Sequence, residues 1–371
     1  MILRTIVGFE MHILGFDIGG ANVKAVNTTP TRNRRDLVVT GTIRWYHPLW
    51  LRGVESLRDL LREVKERFSL KQGEYYVGVT MTAELSDIFK TKFEGVRTIV
   101  EIVEDVYRDS RGVYYVTVDM NLVDCNTAVK DYLKVAAANW AASAWLMKYK
   151  CEEWGIRDAI LIDIGSTTTT IIPMVNCNIK VRGYTDPEKL VYGELVYTGV
   201  LRGNVATLVD RVPYKGFYAR VSAERFSLMG DVHLLLGHIT SEDYTTETAN
   251  GRGKSIEEAV QRLARVPCAD SDIISFEEAV EIARYIYEKQ VFAIFEALMQ
   301  IRSWLVSQGI KLDNFTVITA GLGEFLARES SRRAGFKRIV SISELVGEKI
   351  ASVLPSYATA LMVLNKVASY E

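Results

Sequence analysis

Short apolar runs bounded by turn residues alternate with longer stretches of helical period along this chain, a pattern that predicts an α/β fold. The sharpest runs are residues 14–26, L-G-F-D-I-G-G-A-N-V-K-A-V, and residues 160–172, I-L-I-D-I-G-S-T-T-T-T-I-I, which align without gaps and place Asp17 on Asp163. Each reads as a strand, a D-I-G turn and a second strand, that is, a hairpin with an acid at its bend. A duplicated hairpin predicts two similar lobes.

After the first hairpin, residues 28–36 are polar, 37–43 read as a strand and 54–68 as an amphipathic helix. Residues 75–80 and 113–118 read as further strands, 95–107 as helical, and the Ala-rich 135–148 as a packed helix. The second lobe begins near 157 with its hairpin, continues through an irregular insertion at 175–275, and enters a long helix from 276 to about 306. Ile282, Ile286, Phe292, Phe295 and Leu298 give that helix the spacing of core packing. A strand at 315–319, a glycine turn at 320–323, a helix, a short strand at 338–340 and a helix at 356–367 close the chain. The division this implies is 1–150 for the first lobe and 151–371 for the second.

At 371 residues the chain is long enough for two domains, and 48% apolar content excludes disorder as its main character. Forty-five Lys and Arg against 46 Asp and Glu leave no net field to draw it onto nucleic acid or anionic lipid. No apolar run reaches the length of a membrane span, so the expected location is the cytoplasm and the expected partners are small molecules, not nucleic acid or membrane. A homo-oligomer is left open. The four cysteines are widely spaced and expected to be reduced, and His233 and His238, five apart, miss the spacing of a helical zinc pair. The first strand begins at His12, so residues 1–10 are expected to be dispensable.

Candidate chemistry gathers at the turns. Gly19 and Gly20, with Gly165 as their counterpart, offer bare backbone N–H groups to an anion. Asn22, Lys24, Ser166, Thr167 and Thr168 add phosphate-type contacts, and Asp17 and Asp163 are the expected ligands of a Mg²⁺ ion. Gly321 and Gly323 in T-A-G-L-G-E follow a strand and open a helix, a third anion-binding candidate. Thr80, Thr82 and Glu84 stand at a strand end, where they either bind a ligand or cap the following helix, and Asn139 is a polar group in a close-packed helix. The segment 249–255, A-N-G-R-G-K-S, imitates the end of a P-loop, but Thr248 stands where the first glycine belongs and no strand precedes it. Ser255 and Glu258 instead predict a capping box.

Taken in order, D-I-G-G-A-N-V-K, D-I-G-S-T-T-T-T and T-A-G-L-G-E resemble the phosphate-1, phosphate-2 and adenosine motifs of the acetate and sugar kinase, Hsp70 and actin superfamily. The resemblance implies two ribonuclease-H-like lobes around a central cleft. Segments beginning at Val79, Ala136, Gly193 and Asp231 look like the hydantoinase A and oxoprolinase branch, and residues 82–96 resemble the archaeal tetrahydromethanopterin-linked C1-transfer pathway proteins. That likeness implies an enzyme of methanofuran biosynthesis that joins aminomethylfuran diphosphate to the phenol of γ-glutamyltyramine and releases diphosphate. Asp17 and Asp163 are expected to face one another across the cleft on Mg²⁺, and because a phenol is a poor nucleophile at neutral pH a carboxylate base is expected, with Glu84 at the strand end as its candidate. Gly20 and Asn22 stand where many kinases of the superfamily carry Thr or Ser, so ATP consumption is not expected. The alternatives are an ATP-dependent amide hydrolase of the hydantoinase and oxoprolinase type and a non-catalytic nucleotide-sensing module.

Overall fold

The computed structural model describes residues 11–369, so the expectation for the first ten lies outside the described residues. Of the described residues, those up to Gly155 and those from Val346 onward make one compact unit, and Ile156–Leu345 make a second. In the first unit β1 (His12–Ile18), β2 (Asn22–Pro30), β3 (Leu37–Tyr46), β4 (Tyr75–Met81), β5 (Val113–Val116) and β6 (Leu122–Val123) form one sheet in the order β3-β2-β1-β4-β5-β6. β1 runs antiparallel to β2 and parallel to β4.

The second unit repeats this plan. Its strands are β7 (Ala159–Ile164), β8 (Thr169–Val175), β9 (Asn178–Ile179), β10 (Leu195–Val196), β11 (Arg211–Tyr214), β12 (Phe217–Arg220), β13 (Thr316–Ala320) and β14 (Arg338–Ser341). The order β10-β8-β7-β13-β14 places β7 antiparallel to β8 and parallel to β13. In both units an acid-bearing central strand has its hairpin partner on one side and a parallel strand on the other, which is the ribonuclease-H-like arrangement that the family resemblance implied.

The helices that matter below are α1 (Val54–Arg67), α2 (Lys92–Val106), α3 (Asn139–Lys150), α4 (Met229–Leu235), α5 (Ile256–Ala264), α6 (Phe276–Ser307), α7 (Glu324–Arg333) and α8 (Leu354–Ala368). Leu14, Phe16 and Ile18 of β1 bury their side chains in one cluster with Leu57, Leu61 and Val64 of α1 and Ile99 and Val103 of α2. The alternate residues point to the other face, where α8 lies so close that a Cβ at Gly15 would stand 2.0 Å from the Ser356 carbonyl oxygen. The final helix therefore belongs to the first unit and not to the second lobe, as the expected boundary had it. Its Leu, Met, Val and Ala residues are buried almost throughout, so it needs a sheet face to cover it.

In the second unit Ile160, Ile162 and Ile164 of β7 pack with Val291, Ile294, Leu298 and Ile301 of α6 and with Leu326 of α7. The insertion is more ordered than expected. It carries the β11–β12 hairpin, α4 and α5 over a core of its own, with Val212, Val232, Leu263, Ile282 and Ile286. The Ser255 and Glu258 box caps α5 as predicted, the Glu258 amide donating to Ser255 Oγ at 3.2 Å. α2 starts earlier than its periodicity suggested because Thr91 caps it, accepting from the Glu94 amide at 3.1 Å. α3 starts later, since Ala137 turns the chain at φ 52°.

Cys151 and Cys177 are disulfide-bonded, which corrects the expected reduced state, whereas Cys125 and Cys268 are free. Among the described residues no helix is long and apolar enough to cross a membrane.

Candidate active site

The two acidic hairpins correspond residue for residue. β1 and β2 pair through Ile18 and Val23, and the turn between them closes with Gly19 N–H donating to the Asn22 carbonyl at 2.9 Å. β7 and β8 pair through Ile164 and Thr169, and Gly165 N–H donates to the Thr168 carbonyl at 3.0 Å. Asp17 stands opposite Lys24 and beside Thr80 of β4, and Asp163 opposite Thr170 and beside Ala320 of β13. The gapless alignment in the sequence is thus a shared register in space.

Gly20 and Gly165 leave open space on their Cα faces. A Cβ at Gly20 would meet nothing within 4 Å, and one at Gly165 only the Thr168 carbonyl at 3.9 Å. A phosphate oxygen needs that kind of access to approach backbone amides. Among the described residues the Ser166 and Thr167 amides donate to no backbone carbonyl, so they stand available.

Asp17 is 5% exposed. Its Oδ2 lies 3.6 Å from the Lys24 ammonium, and its buried Oδ1 accepts no hydrogen bond from the chain. Burial holds this carboxyl above the ordinary range even with Lys24 beside it. Lys24, expected to touch phosphate, is in this geometry the counter-ion of Asp17. The Thr80 hydroxyl, its neighbour across β1 and β4, is buried with no partner.

The other expected residues are placed less simply. Thr82 N–H donates to the Ile18 carbonyl at 2.9 Å, so the end of β4 wraps onto the first turn. Glu84 is enclosed at 1% exposure on the helical turn after β4, and does not stand at an open strand end. Its backbone packs against α2 where only Gly95 fits, since a Cβ there would come within 2.6 Å of the Glu84 carbonyl oxygen. Asn139 is the first residue of α3, half-buried, and Ser143 one turn later has a buried hydroxyl without a partner.

Gly321 and Gly323 close the second unit's turn by packing, not by leaving room. Gly321, at φ 84°, would bring a Cβ within 2.5 Å of Asp163 Oδ1, and Gly323 would bring one within 2.4 Å of Ile164 Cγ2. Gly323 N–H donates to the Ile164 carbonyl at 2.9 Å, as Thr82 does to Ile18 in the first unit. These glycines let the connection fold tightly onto β7.

A further segment at this turn carried no chemical assignment in the sequence. The Val200 amide donates to the Gly165 carbonyl at 3.0 Å, and the Leu201 and Arg202 amides both donate to the Ser166 carbonyl at 2.9 Å. Gln290 of α6, fully buried, fixes the segment from behind by donating Nε2–H to Thr198 Oγ1 and to the Gly199 carbonyl, each at 2.9 Å. His233 donates Nε2–H to Gln290 Oε1 at 2.8 Å, and burial pushes this histidine down to about 3, so it stays neutral. The signal was present in G-E-L-V-Y-T-G-V-L-R, but nothing in that string says which turn it backs.

The P-loop imitation is a structural loop. Arg262, 1% exposed, donates Nε–H at 2.9 Å and Nη2–H at 2.7 Å to Asp231 Oδ1, and its Nη1–H at 3.0 Å to the Gly253 carbonyl. Another surface depression, of about 130 Å³, is lined by Thr117, Asp119 and Lys134 among others and by none of these turn residues. It lacks both the glycine turns and the buried acid, so we place no chemistry there.

A family model described as hydantoinase/oxoprolinase matches residues 76–362. The chain is 35% identical over 359 residues to the (4-{4-[2-(gamma-L-glutamylamino)ethyl]phenoxymethyl}furan-2-yl)methanamine synthase of Methanocaldococcus jannaschii, covering 96% of this chain and 99% of that one. It is 31% identical to the synthase of the same name from Methanococcus vannielii over 214 residues, 57% of this chain and 93% of that one. Among solved structures, nucleotide-free acetone carboxylase is similar at TM-score 0.53 and 10% identity, covering 95% of this chain and 70% of that one, a likeness of fold alone.

Proposed function

The chain belongs to the hydantoinase/oxoprolinase family, and we propose that within it this protein is a synthase of the phenoxymethylfuran ether for which its full-length relative is named. The observation that carries this reading is the correspondence with that relative over 96% of the chain. Both curated relatives bear the synthase name, and neither bears that of an amide hydrolase.

The product named there joins a phenol oxygen to the methylene carbon of an aminomethylfuran. Forming that bond requires a furylmethyl donor with a good leaving group, and the open glycine turns suit a diphosphate. The phenol oxygen attacks the methylene carbon while the carbon–oxygen bond to diphosphate breaks, its electron pair leaving with diphosphate and the phenol proton passing to solvent. The furan oxygen stabilises the positive charge that builds on the methylene carbon. The Gly165–Thr168 turn serves the departing charge with the Ser166 and Thr167 amides and hydroxyls, donors fixed before the reaction begins.

A Mg²⁺ ion fits the first turn, because Asp17 Oδ1 is a buried carboxyl oxygen that accepts no hydrogen bond. When bound, the ion would supply positive charge at that turn. The roles of the chain's residues are to hold the leaving group and to keep Asp17 in place through Lys24. ATP has no part in this balance.

The test mixes the protein with Mg²⁺, aminomethylfuran diphosphate and γ-glutamyltyramine, following the ether by mass spectrometry and diphosphate by a coupled enzyme. Ether and diphosphate in equal amounts without ATP support the reading. Absence of ether, together with hydantoin- or oxoproline-dependent ATP hydrolysis, overturns it.

A further inference from the structure

The Gly165–Thr168 turn has neutral donors only, in its amides and in the hydroxyls of Ser166, Thr167 and Thr168. A diphosphate group carries at least two negative charges at neutral pH, and neutral donors alone are a weak match for it. The residue that supplies a cation to this turn is Arg202. Its guanidinium Nη1 donates to Thr167 Oγ1 at 3.3 Å, and its own amide is tied to the Ser166 carbonyl at 2.9 Å. It is half-buried, so the charge is neither lost to bulk water nor sealed in the core.

Its backbone is held from both directions. Upstream, Gly199 presses so closely on the turn that a Cβ there would stand 2.6 Å from Thr167 N and C, and Gln290 grips Thr198 and Gly199. Downstream, the Met229 amide donates to the Gly203 carbonyl at 2.8 Å and the Gly230 amide to the Leu201 carbonyl at 3.1 Å. A fixed main chain, a side chain resting on a turn hydroxyl and unused amides one residue away make a preorganised anion site. Arginine suits it because the planar guanidinium stays charged at any working pH and can present two parallel N–H donors to one phosphate.

We propose that Arg202 is a direct contact of a diphosphate group seated on the Gly165–Thr168 turn, with the Thr167 hydroxyl orienting its guanidinium. The proposal deepens the function given above and rests on it only for the identity of the ester. The same phosphate chemistry could arrive as the diphosphate ester or as the phosphates of ATP, and the test separates the two.

The full chain is titrated calorimetrically with inorganic diphosphate and, separately, with ATP, each with Mg²⁺, for the wild type, Arg202→Met, Arg202→Lys and Thr167→Val. Arg202→Met should weaken diphosphate binding about 10- to 100-fold, the scale of a charge-assisted hydrogen bond. Arg202→Lys should retain part of the affinity, and Thr167→Val should lose less than Arg202→Met. In the ether assay kcat should fall more than KM rises, because the charge on the leaving group grows as it departs. An Arg202-dependent affinity for ATP above that for diphosphate supports the site and assigns it to a nucleotide.

If Arg202→Met does not fold, an arginine-selective dicarbonyl applied to the wild type gives the reading, with Arg202 protected by diphosphate in peptide mass spectra. Wild-type protein that binds neither ligand, an Arg202→Met protein that binds diphosphate within twofold of wild type, or equal labelling with and without diphosphate overturns the proposal. Arg202-dependent diphosphate binding without ether formation leaves the site standing and removes the synthase reading. Ether formation at the wild-type rate by Arg202→Met does the reverse.

Discussion

Two glycines at the turns separate packing from ligand access, and the substitutions Gly20→Ala and Gly199→Ala should have opposite signatures. At Gly199 the new methyl would stand 2.6 Å from Thr167 N and C and 2.7 Å from the Gly165 carbonyl oxygen. Restoring an ordinary contact of 3.4 Å requires a shift of about 0.8 Å. All three atoms belong to the backbone, so no side chain can rotate away, and the strain of such overpacking is about 1–3 kcal/mol. In a unit of this size the melting temperature should fall roughly 2–4 °C for each kcal/mol. The displaced turn should also slow ether formation, since misplacing a reacting group by ~1 Å can cost about 100-fold in rate. At Gly20 nothing lies within 4 Å, and the backbone does not occupy the left-handed region. Gly20→Ala should hold its melting temperature, with a stability change within about 0.5 kcal/mol, while its methyl occupies the space a phosphate oxygen needs. Scanning calorimetry and diphosphate titration on both variants give the comparison. A Gly199→Ala protein with wild-type melting and rate, or a Gly20→Ala protein that binds diphosphate as the wild type does, would refute the reasoning about the corresponding glycine.

Asp17→Asn should abolish ether formation yet melt at or above the wild-type temperature at pH 7, measured by rate assay and calorimetry side by side. The sign follows from burial, which raises the folded carboxyl above its unfolded value. The folded state then binds more protons than the unfolded one between those two values, so this group's contribution to stability falls as pH rises through that window. Asp36 behaves in the opposite way. Despite burial, hydrogen bonds from Lys150 and Tyr357, each at 2.6 Å, hold its carboxyl below the ordinary range. Its contribution is present above the unfolded value near 4 and is lost as pH falls through the folded one, and Asp36→Asn should flatten the acid limb of a melting-temperature profile. Arg262→Met should destabilise the second unit by about 3–5 kcal/mol, because it strands a buried carboxylate, and adding Asp231→Asn should recover part of the loss. Chemical denaturation of the two variants checks this, and a single variant as stable as the wild type would refute it.

Much of the architecture was legible because it is locally encoded. The D-I-G turns carried their register with them, and S-I-E-E announced its helix by side chains that cap within three residues. The start of α3 was hidden by composition: A-A-A-N-W-A-A is rich in the best helix former, yet Ala137 stands at φ 52°, which no helix propensity announces. The home of α8 was hidden for a related reason, since the periodicity of an apolar helix names no partner, and its fit to Gly15 is a contact across the length of the chain. At the site, Asp17, Gly20, Gly165 and Thr167 could be read from the repeat. Arg202 could not, because its relation to Thr167 depends on how residues 198–202 cross behind the turn.

The return of α8 to the first sheet has a consequence for how the protein is made. The second unit is spliced between two parts of the first, so a ribosome delivers all of Ile156–Leu345 before the helix that covers β1 and β4. During that interval one face of the first sheet, with Ile13 and Gly15, lacks its lid, whereas the second unit already holds every strand and helix of its own core. The unit encoded in the middle can therefore mature first, and the one encoded at the start stays open to aggregation or to a chaperone until translation has passed Ala368.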